Sequence, residues 1–142
     1  GRFERFADRM ASLFDVAVDR AREFLGLIER PASWEGPVPG IGLVHFDGGP
    51  AYAAADCGFI RLAAGATFPP HKHRGEEVSL ILTGQLRDDT GRVFGPGDEL
   101  VQDEGSAHTI TAIGDEECIF AARAMNGIEI AGTPVRPNRG SR

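Results

Sequence analysis

From about residue 36 onward, glycine or proline interrupts the chain every few residues, and this punctuation limits what the chain can become. Glycine favours sharp turns, while proline fixes φ and removes a backbone donor, so a long helix has no room there. The intervening segments are short and apolar: 41–46, 52–56, 57–63, 77–83, 85–88, 92–94, 99–102, 108–113, 117–123 and 127–130 read as strands. Asp47-Gly48-Gly49-Pro50, Asp88-Asp89-Thr90-Gly91 and Gly95-Pro96-Gly97-Asp98 read as the turns between them. Many short strands at close spacing predict a mainly β fold, either a sandwich or a small barrel. A chain of 142 residues is one domain with a single core.

The first thirty residues follow a different rule. Phe3, Phe6, Met10, Leu13, Phe14, Ala17, Ala21, Phe24, Leu25 and Ile28 recur at steps of three and four, with charged residues between them. That spacing predicts amphipathic helix, divided at Asp15, which would cap a second helix starting at Val16. The predicted organisation is therefore helices over 1–30, a stiff Pro/Gly-rich connector over 31–40, β-structure over 41–131 and a flexible tail over 132–142. The apolar stripe of the helices is expected to pack on the chain's own domain, with a second subunit or a missing N-terminal segment as the other ways to cover it.

Net charge and cysteine usage narrow the function classes. A formal charge of −6 and a pI near 5.2 exclude a basic nucleic-acid-binding surface. No apolar run reaches the roughly 20 residues of a membrane span, and no export signal is visible, so the expectation is a cytoplasmic protein. The chain opens on Gly1 rather than Met, which reads as a cloning scar or the edge of a fragment. Cys57 and Cys118 show no CxxC spacing and sit in apolar surroundings, as buried thiols do.

The chemistry concentrates in His71, His73 and Glu77, with His108 the candidate to join them from another strand. Strand side chains alternate, so His71 and His73 point to one side, and the turn 74–76 can return Glu77 toward them. Imidazole and carboxylate together are a common donor set for a divalent metal ion: zinc, iron, manganese or nickel. Pro69 and Pro70 stiffen the approach to His71. His45, alone in its strand, reads as a strand residue rather than a fifth ligand, and Glu76 as a solvated neighbour of Glu77.

These positions resemble the cupin superfamily. Its first motif is met by Gly65, His71, His73, Glu77 and Gly84. The second is met in part by Gly97, Gly105 and His108, with Asp103 where proline is usual and Ala112 where asparagine is usual. The resemblance implies a jelly-roll β-barrel, the four-residue metal site and a tendency to form homodimers. The wording of residues 69–110 is further similar to the cupin domain of ChrR-type anti-sigma factors and their stand-alone relatives. That likeness implies zinc, a regulatory or sensory role, and a sigma factor or other regulatory protein as partner. No His/Cys zinc motif of the kind found in a sigma-binding domain precedes residue 65, so such a partner would be met through a missing or separate N-terminal region.

The alternative is a small iron, manganese or nickel dioxygenase acting on a small organic substrate, with Ser79, Thr83, Tyr52 and Arg61 as polar pocket candidates. The scarcity of such groups favours the sensor over the enzyme. A structural metal in an interaction module is the third reading. Cys118 is placed near the metal by its position on the strand after His108, with a structural role preferred for it.

Overall fold

The computed structural model describes residues 1–130 and, as backbone, the strand Thr133–Val135. A 3₁₀ turn (Glu4–Phe6) leads into helices α1 (Ala7–Phe14) and α2 (Val18–Leu27). Among the described residues twelve strands follow: β1 (Glu35–Val38), β2 (Ile41–Phe46), β3 (Ala55–Leu62), β4 (Thr67–His73), β5 (Glu77–Thr83), β6 (Gln85–Asp88), β7 (Val93–Phe94), β8 (Glu99–Gln102), β9 (Ala107–Ile113), β10 (Cys118–Met125), β11 (Ile128–Ile130) and β12 (Thr133–Val135). They form two six-stranded sheets, ordered β1-β2-β3-β10-β5-β8 and β12-β11-β4-β9-β6-β7. Every pairing is antiparallel. The mainly β architecture agrees with the sequence reading, as a jelly-roll sandwich of two sheets rather than a single hydrogen-bonded barrel. No helix among the described residues is long and apolar enough to cross a membrane.

Two hydrophobic clusters share the first sheet. On one face Val44, Phe46, Phe59, Leu80 and Ile119 pack against the helical residues Met10, Phe14, Ala21 and Phe24. On the other, Leu62, Ile81 and Phe120 meet Phe68, Leu86 and Ile110 of the second sheet. A sheet covered on both faces needs apolar residues at successive positions, and β10 is accordingly buried from Cys118 through Ala122. The helical stripe is thus covered by the chain itself: Met10, Phe14 and Ala21 have no exposed surface. Phe24 stacks on Phe46 at 3.9 Å between ring centroids, and Phe14 meets Phe46 edge-on at 4.8 Å. Such pairs add to the energy of area burial.

Local details depart from the sequence reading in four places. Asp15 does not cap α2. It ends α1 in the left-handed conformation (φ 57°, ψ 49°), which a short polar residue tolerates, and its carboxylate accepts the Ala51 N–H at 2.9 Å. The first residue before α2 is instead Ala17, which offers no side-chain cap. Residues 52–56 are not a separate strand: Pro50 starts a 3₁₀ turn through Tyr52, and β3 runs unbroken from Ala55 to Leu62. The connector 31–40 contains a 3₁₀ turn (Pro31–Ser33) and the edge strand β1, where Pro37 needs no ladder donor. Of the tail expected over 132–142, Thr133–Val135 pairs with β11, and the remainder lies outside the described residues.

Candidate metal centre

The ligand strand β4 is kinked before its histidines. Its register with β9 shifts between Phe68 and His71, at Pro69-Pro70, so Phe68 and His71 both point inward although an odd number of positions separates them. Beyond the bulge, strict alternation places His71 and His73 inside and Lys72 outside. His71 then lies directly across from His108 on β9, where alternation also buries Ile110 and Ala112. Glu77 opens β5 in the opposite sheet, and the short turn 74–76 brings it to the histidines. After β5 the chain reverses at Gly84 (φ 76°), where a Cβ would lie 2.2 Å from the Glu117 carbonyl oxygen.

The four side chains form one buried cluster. His71, His73, Glu77 and His108 each offer a ligand atom, and these atoms all lie within 4.8 Å of one another. His71 Nε2 and His108 Nε2 are 2.8 Å apart, and His73 Nε2 is 3.2 Å from Glu77 Oε1. The outward ring nitrogens fix the tautomers. His71 Nδ1–H donates to the Pro69 carbonyl at 2.9 Å, and His73 Nδ1–H to the Ser106 carbonyl at 3.1 Å, with Ser106 Oγ also at 3.1 Å. A carbonyl only accepts, so the Nε2 lone pairs of both neutral rings face the centre. His73 Nε2 and Glu77 Oε1 are then two acceptors facing each other, an arrangement that holds together only around a cation, either a proton or a metal ion. Among the described residues, buried His108 Nδ1 has no hydrogen-bond partner.

Electrostatics favour the neutral form of two of the rings, His71 and His108. Burial pushes His71 below its ordinary value. Burial, then the neighbouring His71 and His73, pushes His108 down to about 4. Neutral imidazole is the metal-binding form, so His71 and His108 offer themselves to a divalent ion at neutral pH, while the proton between His73 and Glu77 is the one an ion would displace.

Of the other residues singled out in the sequence, none joins this cluster. Glu76 points away from it, toward Arg123 at 3.4 Å. The Arg123 guanidinium also donates to the Leu13 carbonyl at 2.7 Å and lies 3.9 Å over the Tyr52 ring, which places Tyr52 on the helical side. Arg61 stacks at 4.1 Å over Trp34. Ser79 is buried opposite Ala122, and Thr83 ends β5 far from Glu77. Cys118 is not near the metal site. It pairs with Leu62 at one end of β10, while Glu77 is level with Ala124, about 20 Å along the strand at roughly 3.3 Å per residue. Burial pushes its thiol up to about 12, which makes it inert. His45 is a strand residue outside the ligand cluster, yet it borders a cavity that Glu77 also lines. Sequence reasoning missed Ser106, which holds His73. Its signal was its place in the turn just ahead of His108.

Comparison with known proteins identifies the family and the fold. Residues 41–126 match the family model described as the ChrR cupin-like domain. The anti-sigma-E factor ChrR of Cereibacter sphaeroides is 41% identical over 61 residues, which are 43% of this chain and 28% of that protein. The crystal structure of Rhodobacter sphaeroides SigE in complex with the anti-sigma ChrR superimposes with a TM-score of 0.64 at 28% identity, covering 73% of this chain and 54% of that one. The chain therefore spans about half or less of the length of these relatives. An acetylacetone dioxygenase from Acinetobacter johnsonii shares the fold, with a TM-score of 0.59 at 14% identity over 74% of this chain and 78% of that one.

Proposed function

This chain belongs to the family of ChrR cupin-like domains, and from that premise we propose that it is a metal-binding regulatory module in which His71, His73, Glu77 and His108 hold a divalent ion, zinc by preference. The observation that carries the reading is the convergence of four buried donors within 4.8 Å, with two ring tautomers fixed so that their lone pairs face inward. Three neutral imidazoles and one carboxylate would leave a divalent ion with one net positive charge. The bound ion would supply a fixed positive centre that holds the two sheets together at this end.

The chain's own residues offer a route from site to surface. Glu77 is bonded to Glu76, whose carbonyl accepts the Met125 N–H at 3.0 Å and whose carboxylate meets Arg123. Arg123 in turn holds the C-terminal end of α1 through the Leu13 carbonyl. Gain or loss of the ion, or oxidation of a ligand, would shift Glu77 and so bias how α1 seats on the first sheet. The partner in this reading is a sigma factor or a similar regulatory protein, engaged in the cytoplasm. A homodimer would have to use a surface other than the helical stripe, which is already buried.

Elemental analysis of purified protein beside His71→Ala and His108→Ala tests the site. About one zinc per chain in the wild type, with little in either variant, is expected; equal metal in all three would refute the assignment. The second reading is a metal-dependent dioxygenase using iron, manganese or nickel, favoured by the cavity beside Glu77. Oxygen uptake with an added small organic substrate by the iron-loaded chain would select it over the regulatory module.

A further inference from the structure

Among the described residues the two sheets end in four edge strands, and three of them are blunted. β1 carries Pro37 and β12 carries Pro134, each of which lacks a ladder donor, and β7 is two residues long. The edge strand β8 differs: it has four residues without glycine or proline, with Leu100 and Val101 at its centre. Ile81 N–H donates to the Asp98 carbonyl at 3.0 Å, which fixes the parity of the ladder between β5 and β8. The hydrogen-bonded pairs are then Leu100 with Ser79 and Gln102 with Glu77, so the N–H and C=O of Glu99 and of Val101 face outward. Among the described residues no other backbone group takes these bonds.

Beside this edge a groove of about 450 Å³ runs along α1. Leu13, Val78 and Val101 form its apolar floor, and Val101 is 53% exposed. Strand alternation puts Glu99, Val101 and, just past the strand, Asp103 on the groove side. The two arginines of the groove are engaged, Arg9 by Glu99 at 3.2 Å and Arg123 by Glu76 at 3.4 Å. Asp8 in the groove, and Asp103 and Glu104 beyond the strand, have no ion-pair partner among the described residues. Neither lysine nor arginine occurs from 98 to 104. A second copy of β8 fits this edge poorly. Antiparallel pairing about Val101 would set Glu99 opposite Asp103, like charge against like.

We infer that the β8 edge is a docking site for an extended segment of a partner protein with the pattern basic-x-apolar-x-basic, added to the sheet as a further strand. Its main chain takes the outward groups of Glu99 and Val101, its apolar residue sits beside Val101, and its basic residues meet Glu99 and Asp103. As the contact surface of a regulatory module this rests on the reading above, to which it is joined at Gln102. That residue lies opposite Glu77, and its Oε1 is 3.2 Å from Ser106 Oγ.

Amide NMR titration of the full chain tests the site, with zinc content measured on the same samples. The probes are two end-capped peptides, Thr-Lys-Thr-Val-Thr-Lys-Thr and the same sequence with glutamate in place of lysine. The lysine peptide is expected to shift the Glu99 and Val101 amides and slow their exchange, because both N–H groups gain an acceptor. The glutamate peptide should bind at least about tenfold more weakly. Val101→Pro removes an outward N–H that β5 does not use, and should abolish binding while metal content stays at the wild-type level. Asp103→Lys should narrow or reverse the preference between the peptides. Equal binding of the two peptides, no shift with the lysine peptide, or shifts at another sheet edge instead of β8 would overturn the proposal. So would binding retained in Val101→Pro, or a chain that already dimerises through β8 and is split by that substitution. Lysine-peptide binding to a chain that takes up no metal would support the edge and sink the metal reading alone.

Discussion

The two sheets are built from the same kind of strand and end up with opposite duties. The first is covered on both faces, by helices and by its partner sheet, and its central strands β5 and β10 are buried almost throughout. The second is covered on one face only, and β4, β6 and β9 alternate between buried and exposed. At the end where it could have added more apolar contact, the second sheet instead buries His71, His73 and His108. Buried imidazoles contribute less to folding than leucines of similar size, so the helix-covered face must supply stability that the site-bearing sheet gives up.

Removing the aromatic anchor of the covered face should produce the largest effect. Phe46→Ala takes out the ring that meets Phe14, Phe24 and Phe59, and should cost about 3–5 kcal/mol in urea unfolding. The folded fraction should still bind metal normally. A substitution there that costs under 1 kcal/mol would mean the helices are not a stability element at all.

Acidification attacks the other sheet. In the metal-free fold His108 titrates at about 4 instead of 6.5, so between those values the unfolded chain binds more protons than the folded one. Stability should therefore be level above pH 6.5, fall as the pH drops toward 4, and lose roughly 3 kcal/mol at most from this residue. His71 is shifted in the same direction and steepens the fall. Chemical denaturation of the chelator-treated chain at a series of pH values checks this, and His108→Gln should flatten the curve. A profile unchanged by that substitution would place the acid sensitivity elsewhere.

Smaller effects sharpen the contrast. Ser106→Ala removes the hydroxyl near His73 Nδ1 but leaves the Ser106 carbonyl in place, so zinc affinity by competition titration should drop about tenfold, the low end for a residue supporting a ligand. Arg123→Met should cost about 1–2 kcal/mol through the lost bond to the Leu13 carbonyl. It should also remove any difference in α1 amide exchange between metal-loaded and metal-free protein. Persistence of that difference would rule out Arg123 as the link.

Much of this was legible in the sequence because the relevant signals are local. The turn spacing announced short strands, the three-and-four repeat announced the helices, and HxHxxxE announced the cluster. What escaped depends on contacts between distant segments. The bulge at Pro69-Pro70 is a matter of register with β9, and a lone strand cannot reveal it. Asp15 carries the composition of a helix cap, but tertiary contact with Ala51 decides which helix it ends. Cys118 follows His108 closely along the chain, yet the antiparallel path carries it to the far end of the sheet. His45 looked ordinary because the hollow beside it is made by Gly58, Ala122 and Ala124, residues that carry no signal of their own.

The direct pairing of His71 with His108 has a consequence for how the fold proofreads itself. A slip of one residue between β4 and β9 would turn one of the two imidazoles to the outer face while leaving a ladder of similar backbone bonds. Only one alignment gathers all four donors, so an ion captured there would bind the correctly assembled sheet and ignore its near misses. Metal uptake during refolding would then time the moment at which these strands find their proper alignment.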